Sequence, residues 1–362
     1  MLIFVFVFFY DNAICYIENE KTGTFLTFTD DSDNKGIIMK LNSNLTRLVG
    51  TLDVDSYDLD KLRRQADEMK QLGYYGVYFN NIFFTIENTD FVCSEEDIFF
   101  REDKCLIVRR TEDEIKQIKT IIQNSGLVVP SAHFLNMLPQ PGEPLESIFS
   151  TYEKILDIAQ VLEAKRVTTH MGGIAVTTAE KSAARPTHVE KLERKEISYN
   201  EYMKLVKKDY GLEQILPDSI TAYRHLCAEA AKRGIMVTIE TACCEMYEIN
   251  TKPEAMLDFI RQVGADNMAI CIDSGHCHLN KLDVSEVIRE CGTSFVETHF
   301  HDNFAINDNH NPIGIGTINW FEVIKTMNET GYKGEITFEQ GDYVTNHKNW
   351  MLFVERVEKG AC

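Results

Sequence analysis

No two of the ten cysteines form a CxxC pair; the one close pairing is the adjacent Cys243 and Cys244. Several sit in apolar runs, as Cys271 does in MAICIDSGH, so they read as buried free thiols in a reducing cytosol rather than as a framework of bridges. Basic residues are also scarce. Lys and Arg number 37 against 56 Asp and Glu, a formal net charge of −19. Such a surface repels phosphate backbones, which disfavours a nucleic-acid partner, whereas a small carbohydrate meets no such barrier. The apolar run Leu2–Tyr10 is too short to span a bilayer. It lacks the positive residues of a secretory leader, and no clear small-residue cleavage site follows it. The expectation is a cytoplasmic chain with no membrane partner, in which residues 1–44 form an extension outside the catalytic fold.

A Gly-rich GxGxxG turn after the first strand is missing too. Gly314 and Gly316 come late, after the seventh candidate strand, which argues against an open dinucleotide-binding sheet. What the sequence does contain is a steady alternation. Short β-branched apolar runs predict strands over Leu48–Val54, Gly76–Phe79, Leu127–His133, Arg166–His170, Met236–Thr241, Met268–Asp273, Phe295–His301 and Glu335–Glu339. Between them, apolar residues three to four apart predict helices over Leu59–Leu72, Thr111–Gln123, Leu145–Glu163, Pro217–Arg233, Pro253–Val263, Val284–Glu290, Asn319–Thr330 and Asn346–Val357. Glycines 73, 126, 234, 264 and 331 stand where such helices end. Strands alternating with helices imply a parallel sheet, and eight units imply one closed (β/α)8 barrel over 45–362. Two long connections, 80–110 and 172–212, follow strands and so belong at the carboxyl-end face, where barrels keep their sites. The first holds an aromatic stretch, Phe79–Phe100, that is the candidate surface for a homo-oligomer. The second mixes both charges and reads as a solvated helical lid.

The chemistry concentrates at the ends of strands five to eight, which read VTIETACCE, CIDSGHCHL, VETHFHDN and ITFEQG. Each apolar run ends in Glu240, Asp273, His299 or Glu339. Carboxylates buried at strand ends cost several kcal/mol, on the order of a lost charge partner, unless a cation accompanies them. These strand ends contain no basic residue, so a divalent metal is the expected partner. The set of oxygens and imidazole suits Mn²⁺, Mg²⁺, Co²⁺ or Zn²⁺ and offers no thiolate to a softer ion. Most of the ten histidines fall at or just beyond such strand ends.

The stretches IDSGHCHL (272–279), THFHDNFAINDNHNPIGIGTINW (298–320) and TFEQG (337–341) carry a resemblance. Over roughly residues 47–345 the chain resembles the sugar phosphate isomerase/epimerase group of xylose-isomerase-like TIM barrels, which also includes endonuclease IV. The resemblance implies that Glu240, Asp273, His299 and Glu339 hold a metal. It also implies that His276 contacts substrate or a further metal, and that Asp308 and His310 form the Asp-x-His pair that binds additional zinc in endonuclease IV-like members. His133 and His170 match two more histidines of such a multinuclear site. Two positions depart from the ketose 3-epimerases of the group: Met246 stands for their second glutamate and Ala305 for their arginine, which argues against free-ketose 3-epimerisation of that specific type.

The implied reaction is isomerisation or epimerisation of a sugar, sugar phosphate or polyol-derived ketone by proton abstraction next to a carbonyl. Glu240 and Glu339 would be the acid/base pair as well as ligands. His276 and His310 would hold substrate hydroxyls. His301 shares a strand face with His299, so it would either point inward or support the ligands from behind. The alternatives are an endonuclease IV-like zinc phosphodiesterase acting on abasic DNA and a metal-dependent dehydratase or lyase acting on a keto-sugar or inosose.

Overall fold

A computed structural model describes residues 6–10, 13–20, 23–28, 41–52, 58–79, 85–86, 106–107, 111–134, 145–170, scattered positions between 191 and 205, 212–243, 252–339 and 341–360. Most of the two long connections and Met246 fall outside the described residues, as does the aromatic stretch after Phe79 apart from 85–86. Three strands, β1 (Phe6–Tyr10), β2 (Ala13–Glu20) and β3 (Gly23–Phe28), form an antiparallel sheet of their own within the apolar amino-terminal segment.

All eight strands expected of a barrel are present: β4 (Leu48–Thr51), β5 (Gly76–Tyr78), β8 (Ser131–His133), β9 (Arg166–Thr169), β10 (Met236–Glu240), β11 (Met268–Asp273), β12 (Phe295–His299) and β13 (Ile336–Phe338). Two two-residue strands, β6 (Thr85–Ile86) and β7 (Leu106–Ile107), pair antiparallel within the first long connection. The parallel ladders run β8-β9-β10-β11-β12 and β5-β4-β13. Parallel bridges Gly76↔Val128 and Phe79↔Ala132 join β5 to β8, and Phe300↔Phe338 joins β12 to β13. The ring closes with every strand pointing the same way, as a (β/α)8 barrel does. Strand β11 is buried at all six positions, as a parallel strand covered on both faces must be.

Several strands are shorter than the apolar runs suggest. β8 starts at Ser131 because Pro130, just before it, has no N–H for the ladder. The helices follow the expected apolar spacing and carry their own stop and start signals. Thr111 and Glu114 close a capping box on Glu112–Asn124, and Gly264, at φ 71°, ends Pro253–Val263. Two helices differ from expectation. The fourth begins at Leu212, so Pro217 lies inside it rather than at its first turn. A six-residue helix, Ser274–Leu279, follows β11 directly. Its SGHCHL sequence has no apolar period, and it forms because Asp273 caps it, accepting from the His276 N–H. Among the described residues, no helix is long and apolar enough to cross a membrane.

Candidate metal centre

Glu240, Asp273 and His299 are the last residues of β10, β11 and β12, and Glu339 immediately follows β13. Successive strands of a barrel end side by side, so the four side chains converge without any loop having to place them. One ligand atom from each lies within 4.8 Å of the others, and all four residues are buried. His299 Nδ1 faces Glu240 Oε2 at 2.9 Å and Glu339 Oε2 at 3.5 Å.

Two further groups adjoin this one. His133, at the end of β8, and His170, just past β9, approach Glu240 Oε2 at 3.4 and 3.7 Å, so Glu240 belongs to two groups at once. His276 on the short helix meets Asp308 and His310 from the connection after β12. The Nε2 atoms of His276 and His310 lie 3.2 and 3.1 Å from Asp308 Oδ2. His301 also lies within ligand distance of this last group. The structure thus gathers at one barrel mouth all nine residues singled out in the sequence.

The imidazoles and carboxylates hold each other's protons. Burial raises the Glu240 carboxyl, but His299, His170 and His133 outweigh it and hold the group well below the usual range. Burial lifts Glu339 to about 7, aided by the Glu240 charge and opposed by His299. Burial disfavours the charged form of His299 and His310, yet Glu240 and Glu339 in the first case, and Asp308 in the second, bring both to about 10. Burial lowers His133 well below its ordinary value.

These residues fit divalent cations. Among the described residues, Asp273 Oδ2, His299 Nε2 and Asp308 Oδ1 are buried with no hydrogen-bond partner, an arrangement that is costly for polar atoms and that a cation bound to the carboxylate oxygens and to the deprotonated ring would relieve. His276 Nδ1 lies 2.8 Å from the Thr241 carbonyl and His310 Nδ1 2.9 Å from the Glu339 carbonyl. With those nitrogens donating, each ring turns its Nε2 to Asp308, and an ion bound there would take the place of the Nε2 proton, leaving the tautomer that metal-binding histidines adopt.

Some functional neighbours have no clear signal in the sequence. The Tyr78 hydroxyl, from the end of β5, donates to Glu339 Oε1 at 3.3 Å, and its ring packs edge-on against His299. Asp302 and Asn303 stand in the quoted HFHDN stretch, but only the structure shows their task. Asp302 accepts from the Gly314 and Ile318 N–H groups and from Trp320 Nε1, while Asn303 Nδ2 donates to the Gly275 carbonyl. Together they fold the connection that carries Asp308 and His310 back over the mouth. Gly316 is needed there, since a Cβ would lie 2.2 Å from both Asp302 Oδ1 and the Asn303 carbonyl. At Ala305 the backbone is left-handed (φ 57°) and its N–H donates to Asn303 Oδ1, so the epimerase arginine position is here a turn residue.

Eight parallel strands with buried acids and imidazoles at their carboxyl ends define a barrel of the enzyme-bearing kind. The family model described as xylose isomerase-like TIM barrel matches residues 95–352, and the chain belongs to that family. It is 28% identical over 130 residues to the uncharacterized protein MJ1311 of Methanocaldococcus jannaschii, covering 35% of this chain and 44% of that one. To the D-psicose 3-epimerase of Ruminiclostridium cellulolyticum it is 26% identical over 156 residues, 41% of this chain and 50% of the relative. The chain therefore spans half or less of the length of these curated relatives. Among solved structures, a D-tagatose 3-epimerase-like protein superposes with a TM-score of 0.56 at 15% identity, covering 87% of this chain and 100% of its own. The 3-keto-D-glucoside 4-epimerase YcjR from E. coli gives 0.56 at 14%, covering 86% and 99%. At such identities the likeness is one of fold.

Proposed function

We propose that this protein is a divalent-metal-dependent isomerase or epimerase of a sugar, sugar phosphate or polyol-derived ketone. The observation that carries the reading is the pair Glu240 and Glu339. They come from different strands, and both present a carboxylate oxygen to the cluster shared with Asp273 and His299. The names of the epimerase relatives support the same class of reaction. A bound Mn²⁺, Mg²⁺, Co²⁺ or Zn²⁺ would supply Lewis acidity to substrate oxygens. One glutamate takes the proton next to the carbonyl and the other returns it. Tyr78 orients Glu339 through its hydroxyl, and the burial of all four cluster residues keeps water from the reacting carbon. His276, Asp308 and His310 would hold a second ion, and His133 and His170 approach Glu240 Oε2 as a further group.

A second reading has a specific observation behind it. Three adjoining ligand groups, two of them sharing Glu240, are what a multinuclear phosphodiesterase uses to clamp attacking and leaving oxygens. The net charge of −19 weighs against a DNA substrate. The two readings part on the reaction. We expect solvent deuterium to enter a member of a panel of ketoses, inosose and sugar phosphates, with no cleavage of an abasic-site duplex. Strand cleavage without any exchange would overturn the isomerase in favour of the hydrolase. Elemental analysis of protein purified without added metal counts the ions independently.

A further inference from the structure

His301 lies within ligand distance of His276, Asp308 and His310, yet its ring cannot join them on one ion. Its imidazole stacks on that of His310, with centroids 3.9 Å apart and planes 3° from parallel. An imidazole nitrogen offers its lone pair in the plane of its own ring, to an ion about 2.0–2.1 Å away for zinc. Two face-to-face planes share no such point. His310 has the better claim, because its Nδ1 is committed to the Glu339 carbonyl and its Nε2 faces Asp308. Its backbone is held at φ 45°, an uncommon conformation for a residue with a side chain.

What His301 touches belongs to both subsites. Its Nε2 is 3.0 Å from Asp273 Oδ1, in the first group, and 3.7 Å from Asp308 Oδ1, in the second. Its backbone is fixed by a reciprocal pair with Ser274: the His301 N–H donates to Ser274 Oγ at 3.0 Å, and that hydroxyl donates to the His301 carbonyl at 2.6 Å. Gly275 leaves the space that the ring fills, since a Cβ there would come 1.9 Å from His301 Cε1. Strand β11, the short helix and the connection after β12 therefore meet on one side chain.

We propose that His301 binds no ion and is a positioning residue that spaces the two metal subsites, holding Asp273 of one and His310 of the other. The proposal rests on the reading that His276, Asp308 and His310 hold a second ion. The test uses the full chain loaded with Co²⁺. Bound ions are counted by elemental analysis, affinities are measured by chelator competition, and coordination is read from the visible absorption. His301→Asn should keep the ion count at saturation and the cobalt spectrum, while the second ion binds about 10–100-fold more weakly, the usual loss when a group orienting a ligand is removed. Gly275→Ala leaves every ligand in place but displaces the ring, and it should weaken the same ion. His301→Phe keeps the stack and should recover part of that affinity; it also carries the comparison if His301→Asn does not fold. Loss of one ion from His301→Asn, with a changed spectrum, would make His301 a ligand and overturn the proposal. Unchanged affinities in both His301→Asn and Gly275→Ala would reduce it to filler. A native chain that takes up no second ion overturns the two-subsite reading itself, and that result is visible before any substitution is made.

Discussion

At the amino ends of the barrel strands, Glu297 and Glu335 meet Arg166 and Arg47. At the carboxyl ends, Glu240, Asp273 and Glu339 meet imidazoles among the described residues. In the first cluster Arg166 bridges Glu297 at 3.4 Å and Glu335 at 2.6 Å, and Arg47 reaches Glu335 at 2.8 Å. The Thr168 and Thr238 hydroxyls donate to Glu297 Oε2 at 2.9 and 2.7 Å. Burial disfavours the Arg166 charge, but Glu297 and Glu335 raise its pKa further still, so its proton stays on at any working pH. That cluster carries its own permanent countercharge. At the mouth the countercharge is borne by groups that can give up a proton and then accept a cation. Burial of acids is common to both ends; the chemistry of the balancing partner separates a structural cluster from a metal centre.

The sharpest way to break this comparison is to remove one acid from each end. Glu339→Gln should lower deuterium incorporation into the substrate by about 10²–10⁴-fold, the range for loss of a positioned acid or base, with the fold retained by circular dichroism. Exchange at the native rate would show that the mouth is not the reacting centre. At the other end Arg166→Met strands Glu297, which is fully buried. That should cost about 3–5 kcal/mol of stability in urea unfolding, as breaking a buried pair does, while elemental analysis finds the ion content unchanged. An Arg166→Met chain that kept its stability but lost metal would mean the two clusters are coupled, and the contrast would fail.

The same contrast explains what the sequence makes legible. A run such as MAICID ending in an acid shows both the strand and the anomaly at its end, so Glu240, Asp273, His299 and Glu339 can be read from pattern and solvation alone. Asp308 and His310 lie in an aperiodic connection and are reached only through family resemblance. Tyr78 is missed because an aromatic at a strand end looks like core. Asp302, Asn303 and His301 are visible as motif letters, but their tasks depend on partners distant in sequence: Trp320 for Asp302, Gly275 for Asn303 and Asp273 for His301. The helix Ser274–Leu279 is hidden because fewer than two turns carry no period and Gly275 is a poor helix former. Leu212 is missed as a helix start because Pro217 looks like a first-turn proline.

The contrast that sharpens the comparison most is pH. In the metal-free chain His299 and His310 keep their protons up to about 10, against an ordinary 6.5. A folded-state value above the unfolded one stabilises the native state fully below about 6.5, and that contribution is lost as pH rises toward 10. A cation that binds these groups must displace their protons, so the loaded chain has no such loss to suffer. Ion affinity should therefore climb with pH across this window, by up to about tenfold per unit for each proton displaced. Protons should also appear in solution on binding, measurable by titration calorimetry in buffers of different ionisation enthalpy. The Arg166 guanidinium at the other end keeps its proton throughout that window, so a substitution there should leave the slope unaltered. An affinity flat from pH 6.5 to 10 would mean that the imidazoles are already bare before the ion arrives, and that the balancing charge at the mouth is not the exchangeable one inferred from its geometry.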